Sequence, residues 1–334
     1  MNNQYLTSEE AVAIDCLMPG NQLFGLGSKM KAALALGVQS GTKWYLDPVN
    51  GNDSRDGLSY ETAFKTLPVA YAALTANKNE VLYILGGSSA LNLTIAFTWA
   101  KSYTHLVGIC AGGAYGRARI GHSANFASLF TVSANGCIFQ NIHLQSGRGS
   151  ATNLNCLVLA QTANYNTFVN CHIDSPLHAT EAAEAWRGLV LSGTPGSAIG
   201  ARSNSFISCV FGDWSIPDTG GNGALVDFKG MNAGTLFKDC DFIINTTQAG
   251  FVALKAAVAI GDGNAAGYAL FDGCKFLALN TGVNVVATAP TSGKLIFARS
   301  FAVGATNWSA NSNNVFSATG AAIIADGGLG VVIS

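Results

Sequence analysis

The side chains of this 334-residue chain with chemistry to offer are eight cysteines, five histidines and a scatter of aspartates. Four thiols, Cys171, Cys209, Cys240 and Cys274, each follow a phenylalanine by three residues, at Phe168, Phe206, Phe237 and Phe271. A zinc centre needs ligands converging at about 2.3 Å, commonly from closely spaced Cys pairs, whereas these thiols come one to a repeat. Parallel side chains on successive repeats suit a column of small buried hydrophobes, and no metal or other cofactor is expected. Cleaving a glycosidic bond requires two carboxylates at a set separation. The candidates are Asp239 with Asp241, and Asp272 or Asp213 on neighbouring repeats; strand alternation predicts that Asp239 and Asp241 share a face. His105, His122, His143, His172 and His178 show neither triad nor metal-ligand spacing. His143 and His172 occupy equivalent repeat positions, which predicts that they stack facing outward.

Three smaller features have a structural and a functional reading. Asp47, Asn50, Asn52, Asp53 and Asp56 suggest a Ca²⁺ loop, but the bidentate Glu that closes an EF-hand is missing, and turn chemistry is the expected cause. Gly261-Asp-Gly-Asn264 reads as a corner between strands rather than a phosphate-cradling strand-to-helix turn. Trp186, Trp214 and Trp308 are placed in loops, where sugar stacking and local packing both stay open.

These residues are positioned by a repeat. The phrase Phe, two residues, Cys, one residue, large apolar residue occurs at Phe168-Val-Asn-Cys171-His-Ile173, and again from Phe206, Phe237 and Phe271. A variant starts at Phe139, with Ile142 in place of Cys, and a degenerate copy runs Phe297-Ala-Arg-Ser300-Phe301. The period is about thirty residues, the range of solenoid units. A second apolar phrase precedes each copy: Ser128 to Val132, Cys156 to Leu159, Gly188 to Leu191, Ala224 to Phe228, Ala257 to Ile260 and Val283 to Val286. Polar turns carrying Asn135, Asn164, Asn204, Asn232 or Asn264 lie between the phrases, and Asn tolerates the left-handed backbone of a sharp corner. Each unit is therefore at least two short strands, a corner and a variable loop. One such coil cannot bury its own apolar face; stacked coils pair strands in parallel about 4.8 Å apart around a continuous core. Roughly eight coils would make a rod of about 40 Å. The predicted fold is all-β, a right-handed single-stranded parallel β-helix whose core ladder is Phe139, Phe168, Cys171, Phe206, Cys209, Phe237, Cys240, Phe271 and Cys274.

Composition narrows the partners. Hydrophobic residues make up 49% and charged ones only 11%, with a net charge of −1. Nucleic acid would require a concentrated basic face, so it is not expected. No run of about 20 apolar residues marks a membrane span. The first residues lack the basic and apolar regions of a secretory signal, so synthesis in a reducing cytosol is expected. So little charge suggests a surface largely covered by other subunits.

The stretch from Trp44-Tyr-Leu-Asp-Pro through Asn52-Asp-Ser-Arg-Asp-Gly to Thr62-Ala-Phe-Lys-Thr-Leu67 closely resembles the opening motif of pectate-lyase-like (pectin-lyase-like) right-handed β-helix proteins. The resemblance covers about residues 43–300 and implies a strand, a glycine-rich turn and a helix closing the first coil. Thr62 is the expected cap of that helix, with Ala63, Phe64, Leu67, Ala70 and Leu74 on its apolar face. The chain divides into a docking arm with short helices (1–42), an entry strand, turn and capping helix (43–78), the coils (79–315) and an apolar tail (316–334). Polygalacturonase-type catalysis on this fold uses an Asp-Asp pair followed by His-Gly and Arg-x-Lys, and lyases use Ca²⁺-binding acids with a catalytic Arg or Lys. Neither set is found, so catalytic, cofactor and metal residues are all expected to be none. The run Phe97 to Ile109, followed by Gly116-Arg-Ala-Arg-Ile120, resembles β-helix proteins encoded among phage structural genes. That implies a virion protein made in the host cytoplasm: a homotrimeric capsid decoration or head-surface protein docking on the major capsid protein or other virion proteins. The alternative is a tailspike or fibre that binds or cleaves a host glycan; a secreted adhesin or lyase ranks below both.

Overall fold

The computed structural model describes residues 41–87, 90–110, 118–122, 126–145, 155–174, 187–194, 199–215, 217, 223–246, 252–256, 267–279, 283–288, 293–309 and 314–317. Among the described residues the chain winds through three parallel sheets of ten, eight and eight strands as a right-handed parallel β-helix. One turn shows the path. Ile138–Gln140 lies in the first sheet, Ile142–Leu144 in the second and Asn155–Leu159 in the third, before Thr167–Val169 rejoins the first. Ten strands at the usual spacing span roughly 45 Å. No helix among the described residues is long and apolar enough to cross a membrane.

Strand register explains the repeated phrase. Phe139 pairs with Phe168, Phe168 with Phe206, Phe206 with Phe237 and Phe237 with Phe271. Their rings stack at 4.7, 4.9, 4.9 and 4.7 Å, and Phe297 continues the column at 4.9 Å. A second column, Phe211, Phe242 and Phe276, runs beside it in the second sheet at 4.9 and 4.5 Å. Each such pair is worth about 1 kcal/mol beyond its buried area. The thiols form the column between them. Cys171, Cys209, Cys240 and Cys274 are buried, and each donates to the carbonyl of a phenylalanine on the coil below: Phe139, Phe168, Phe206 and Phe237, at 3.3–3.5 Å. Burial first, then the neighbouring Cys209 and Cys274 thiols, push the Cys240 pKa well up, so this thiol stays protonated. The seven described cysteines form no disulfide with one another.

The corner ahead of each thiol is made by one left-handed residue. Asn141, Asn170, Ser208, Asp239, Gly273 and Arg299 have φ between 50° and 68°, and none is a β-branched or bulky apolar residue. At another corner Asn166 and Asn204 are fully buried. Asn166 accepts the N–H of Cys137, Asn204 accepts that of Asn166, and their amides donate to Ala134 and Ala163, all at 2.9 Å. Asn135 and Asn164 form a separate, outer pair, with Asn135 accepting the N–H of Asn164 at 2.8 Å. Asn232 bonds the carbonyl of Ala201 at 2.9 Å. Asn166 belongs to the inner column although it is absent from the expected set; Asn264 lies outside the described residues.

Several expectations need correction. In the third sheet the strand beside Ala224–Phe228 is Val252–Lys255, with Ala224 opposite Val252 and Val226 opposite Leu254; residues 257–260 lie outside the described set. The helix runs Leu67–Ala73 with Thr66 at its N-cap, not Thr62, because Pro68 sets the first turn. Thr62 instead hydrogen-bonds Ser59, and Phe64 precedes the helix in a β-bridge to Leu46. Phe64, Leu67 and Leu74 are all buried on the first coil. Lys101 closes the other end of the helix, its ammonium donating to the carbonyls of Tyr71, Ala72 and Leu74. In the degenerate copy, Ser300 takes the thiol position and bonds the Phe271 carbonyl at 3.2 Å. Phe301 faces out, Ala302 takes the place opposite Phe276, and Trp308 fills the space against Phe276 and Phe297. Trp308 is therefore core rather than loop. The arm as far as residue 40, and the tail from residue 318, lie outside the described residues.

Candidate functional site

Three of the outward carboxylates, Asp227, Asp241 and Asp272, are bound into cross-coil ion pairs. Asp239 and Asp241 do not share a face: Asp239 is the left-handed corner residue and Asp241 opens the next strand. Asp239 meets Lys238 at 3.3 Å and Asp241 meets Lys275 of the next coil at 3.0 Å. Asp272 takes a two-pronged contact from Arg299, at 2.9 and 2.7 Å, with Lys238 at 3.8 Å. The Arg299 hydrogen bond, opposed by partial burial, holds the Asp272 pKa below the usual carboxylate value. Asp227 and Arg187 form a buried pair at 2.5 Å, and Asp213 accepts from the N–H and hydroxyl of Ser215. A general acid needs a proton at working pH and a general base needs an accessible lone pair; of these groups Asp227, Asp241 and Asp272 are engaged across coils and Asp213 and Asp239 locally. The Asp47 cluster is turn chemistry, with Asp47, Asn52 and Asp56 each accepting a backbone N–H two residues on. Asp53 accepts the N–H groups of Lys65 and Thr66 at 2.8 and 2.9 Å.

The cluster that most resembles a site is one the spacing of histidines did not suggest. His143 and His172 face each other across adjacent second-sheet strands, rings stacked at 4.2 Å and 8°. Ile142 and Leu144 point into the core, so alternation turns His143 to the other face. There it is buried, 3% exposed, as are His172 at 1% and Asp174 at 0%. Outward stacking is thus found, but solvent exposure is not. Asp174 Oδ1 lies 3.0 Å from Nε2 of His143 and 2.9 Å from Nε2 of His172. The His172 Nε2 also lies 2.7 Å from the carbonyl of Gly212. Burial works to raise the Asp174 pKa, yet the hydrogen bonds and charges of both histidines hold it below the usual carboxylate value. Asp174 was missed by sequence reasoning; the available signal was His172-Ile-Asp174, where a spacing of two puts both side chains on one strand face.

The remaining histidines have other roles. His105 is buried, and its Nδ1 accepts the Ile138 N–H at 3.1 Å, which requires the neutral ring; burial lowers its pKa to about 4. His122 packs against Phe126, and His178 lies outside the described residues, as does Trp186. Trp214 is exposed and its carbonyl accepts from Asn245. Tyrosines also gather outside: Tyr45 stacks on Tyr83 at 5.6 Å and meets Tyr60 at 4.5 Å, and Tyr103, Tyr165 and Tyr268 are exposed.

No family model and no curated protein matches the chain. Solved structures do. Pectate lyase Pel9A superposes with a TM-score of 0.59 at 16% identity, over 84% of this chain and 69% of that one. The pectin methylesterase of Aspergillus niger gives 0.53 at 14%, over 83% and 84%. A protein of Geobacillus virus E2, ORF18, gives 0.45 at 12%, over 83% and 56%. At such identities the likeness is one of fold alone: this chain shares the right-handed parallel β-helix.

Proposed function

We propose that the chain is a structural protein of a tailed bacteriophage particle, with a capsid-decoration or head-surface role. The observation that carries this reading is the use of the outward carboxylates. Asp227, Asp239, Asp241 and Asp272 each join a Lys or Arg, three of them across coils, so the groups a glycan-cleaving enzyme would need serve to stiffen the rod. Two further features support it. Charged residues are only 11% of the chain, and apolar side chains such as Ile95, Ile199 and Trp214 stand exposed, as suits a surface covered by neighbouring subunits. The sequence resemblance to phage structural β-helices supplies the virion context, and the proposed partners are the major capsid protein or other virion proteins, with the body a homotrimer. The test is mass spectrometry and antibody labelling of purified particles, with equilibrium sedimentation of the free protein. Stoichiometric labelling over heads and a trimer mass are expected; absence from particles would overturn the assignment.

The exposed tyrosines favour one second reading, a tailspike or fibre that holds host polysaccharide. Ring faces bind sugars, and Tyr45, Tyr60 and Tyr83 form a continuous aromatic surface at one end. Labelling at the tail, together with release of reducing ends or unsaturated sugars from host polysaccharide, would replace the first reading with this one.

A further inference from the structure

We propose that His143, His172 and Asp174 form a binding site for one divalent transition-metal ion of the zinc class, joining two consecutive coils. Two imidazoles and a carboxylate are a donor set that such ions take readily. Their ligating atoms already lie close together, all within 4.8 Å of one another. A four-coordinate ion with bonds of about 2.0–2.1 Å holds its donors roughly 3.3 Å apart. The contacts of 3.0 and 2.9 Å between Asp174 and the two Nε2 atoms therefore need to open by only a few tenths of an ångström. The Gly212 carbonyl, 2.7 Å from the His172 Nε2, is in reach as a further oxygen donor.

The competing account is a plain hydrogen-bond bridge, with one carboxylate oxygen shared by two imidazole N–H groups. That account leaves a cost. Asp174 is fully buried, yet both contacts fall on Oδ1, and Oδ2 has no hydrogen-bond partner among the described residues. A buried carboxylate oxygen without a partner is expensive, and a cation beside it removes the expense. On binding, each coordinating Nε2 gives up any proton it holds to solvent, and its lone pair goes to the ion. The pair also ends where a site should end: the residue opposite His172 on the following coil is Val210, which offers no donor. The ion would link His143 of one coil to His172 and Asp174 of the next.

The experiment uses the full chain, stripped with a chelator and then dialysed against micromolar Zn²⁺ or Co²⁺. One equivalent of metal is expected by elemental analysis, with a raised melting temperature and a visible Co²⁺ spectrum of nitrogen and oxygen ligation. His143→Ala and Asp174→Asn should each weaken binding at least about tenfold, while Cys240→Ser leaves it unchanged. Failure of the wild type to hold an equivalent, retention of full affinity in both variants, or a thiolate-to-Co²⁺ charge-transfer band would each overturn the proposal. If a variant fails to fold, the wild-type stoichiometry and Co²⁺ spectrum decide alone. None of these readouts depends on where the protein sits in a particle.

Discussion

The interior and the buried histidine cluster are built from the same coils under opposite rules. Inside, each position repeats its neighbour: phenylalanine lies on phenylalanine from Phe139 to Phe297 and thiol on thiol from Cys171 to Cys274. Outside, the column through His143 and His172 reads Arg119, His143, His172, Val210, Asp241 and Lys275, and no chemistry lasts more than two coils. Translation along the axis suits packing, because each like pair is satisfied by the next. A binding cluster needs unlike groups brought together, so it arises where the repetition is broken. Stability should therefore be spread along the interior, and chemistry confined to one or two coils of the exterior.

Three perturbations break or sharpen that contrast. The largest effect is expected from Phe237→Ala, which removes a ring stacked on both sides and meeting Phe242 and Phe228. It should cost about 4 kcal/mol in chemical denaturation; a loss under 1 kcal/mol would mean that the column is not what holds the coils together. Next is acid. His105 must be neutral to accept the Ile138 N–H, and its folded pKa is about 4 against 6.5 unperturbed. The unfolded chain takes up the proton first, so this contribution is whole above pH 6.5 and is lost as pH falls towards 4. The loss approaches about 3 kcal/mol, and His105→Gln should flatten the slope of stability against pH across that window. The smallest effect is expected from Cys240→Ser. Ser300 already occupies the equivalent place and bonds the carbonyl below, so the cost should be about 1 kcal/mol or less in the same denaturation assay. A loss as large as that of Phe237→Ala would show that the thiols carry more than packing.

The interior was legible because repetition writes itself into sequence: a phenylalanine and a thiol at a constant offset, coil after coil, predict one column each. Errors came where a local signal was ambiguous or the pattern was not repeated. Val252-Ala-Leu-Lys255 and Ala257-Val-Ala-Ile260 are both short apolar runs, and only pairing with Ala224–Phe228 selects the first. Thr62 and Thr66 are both plausible caps, and the constraint from Pro68 decides between them. Asn166 sits two residues after Asn164, so the inner and outer columns blur into one polar turn until their hydrogen bonds separate them. Asp174 was invisible for a different reason. Its partners come from two coils only, and a pair carries too little repetition to stand out. The aspartates were misread as one face because alternation was carried across the corner at Asp239, where a left-handed residue resets it.

The single left-handed residue ahead of the thiol has an architectural consequence. From the coil that begins at Ile138 onward the chain has one or two residues to turn between the first and second sheets, as from Gln140 to Ile142 or from Lys238 to Asp241. The two coils before it take longer, from Leu85 to Leu91 and from Ile109 to Ala118. Along the thiol column that bend admits no insertion without shearing the columns. The passage from the second sheet to the third varies instead, from Leu144 to Asn155 in one coil and from Val303 to Asn307 in another. The passage from the third sheet back to the first varies as well, from Val132 to Ile138 in one coil and from Leu191 to Ser205 in another. Novelty can therefore be grafted on either side of the third sheet, and lineages descended from a common ancestor should differ there in length while sharing an invariant seam at the thiol corner.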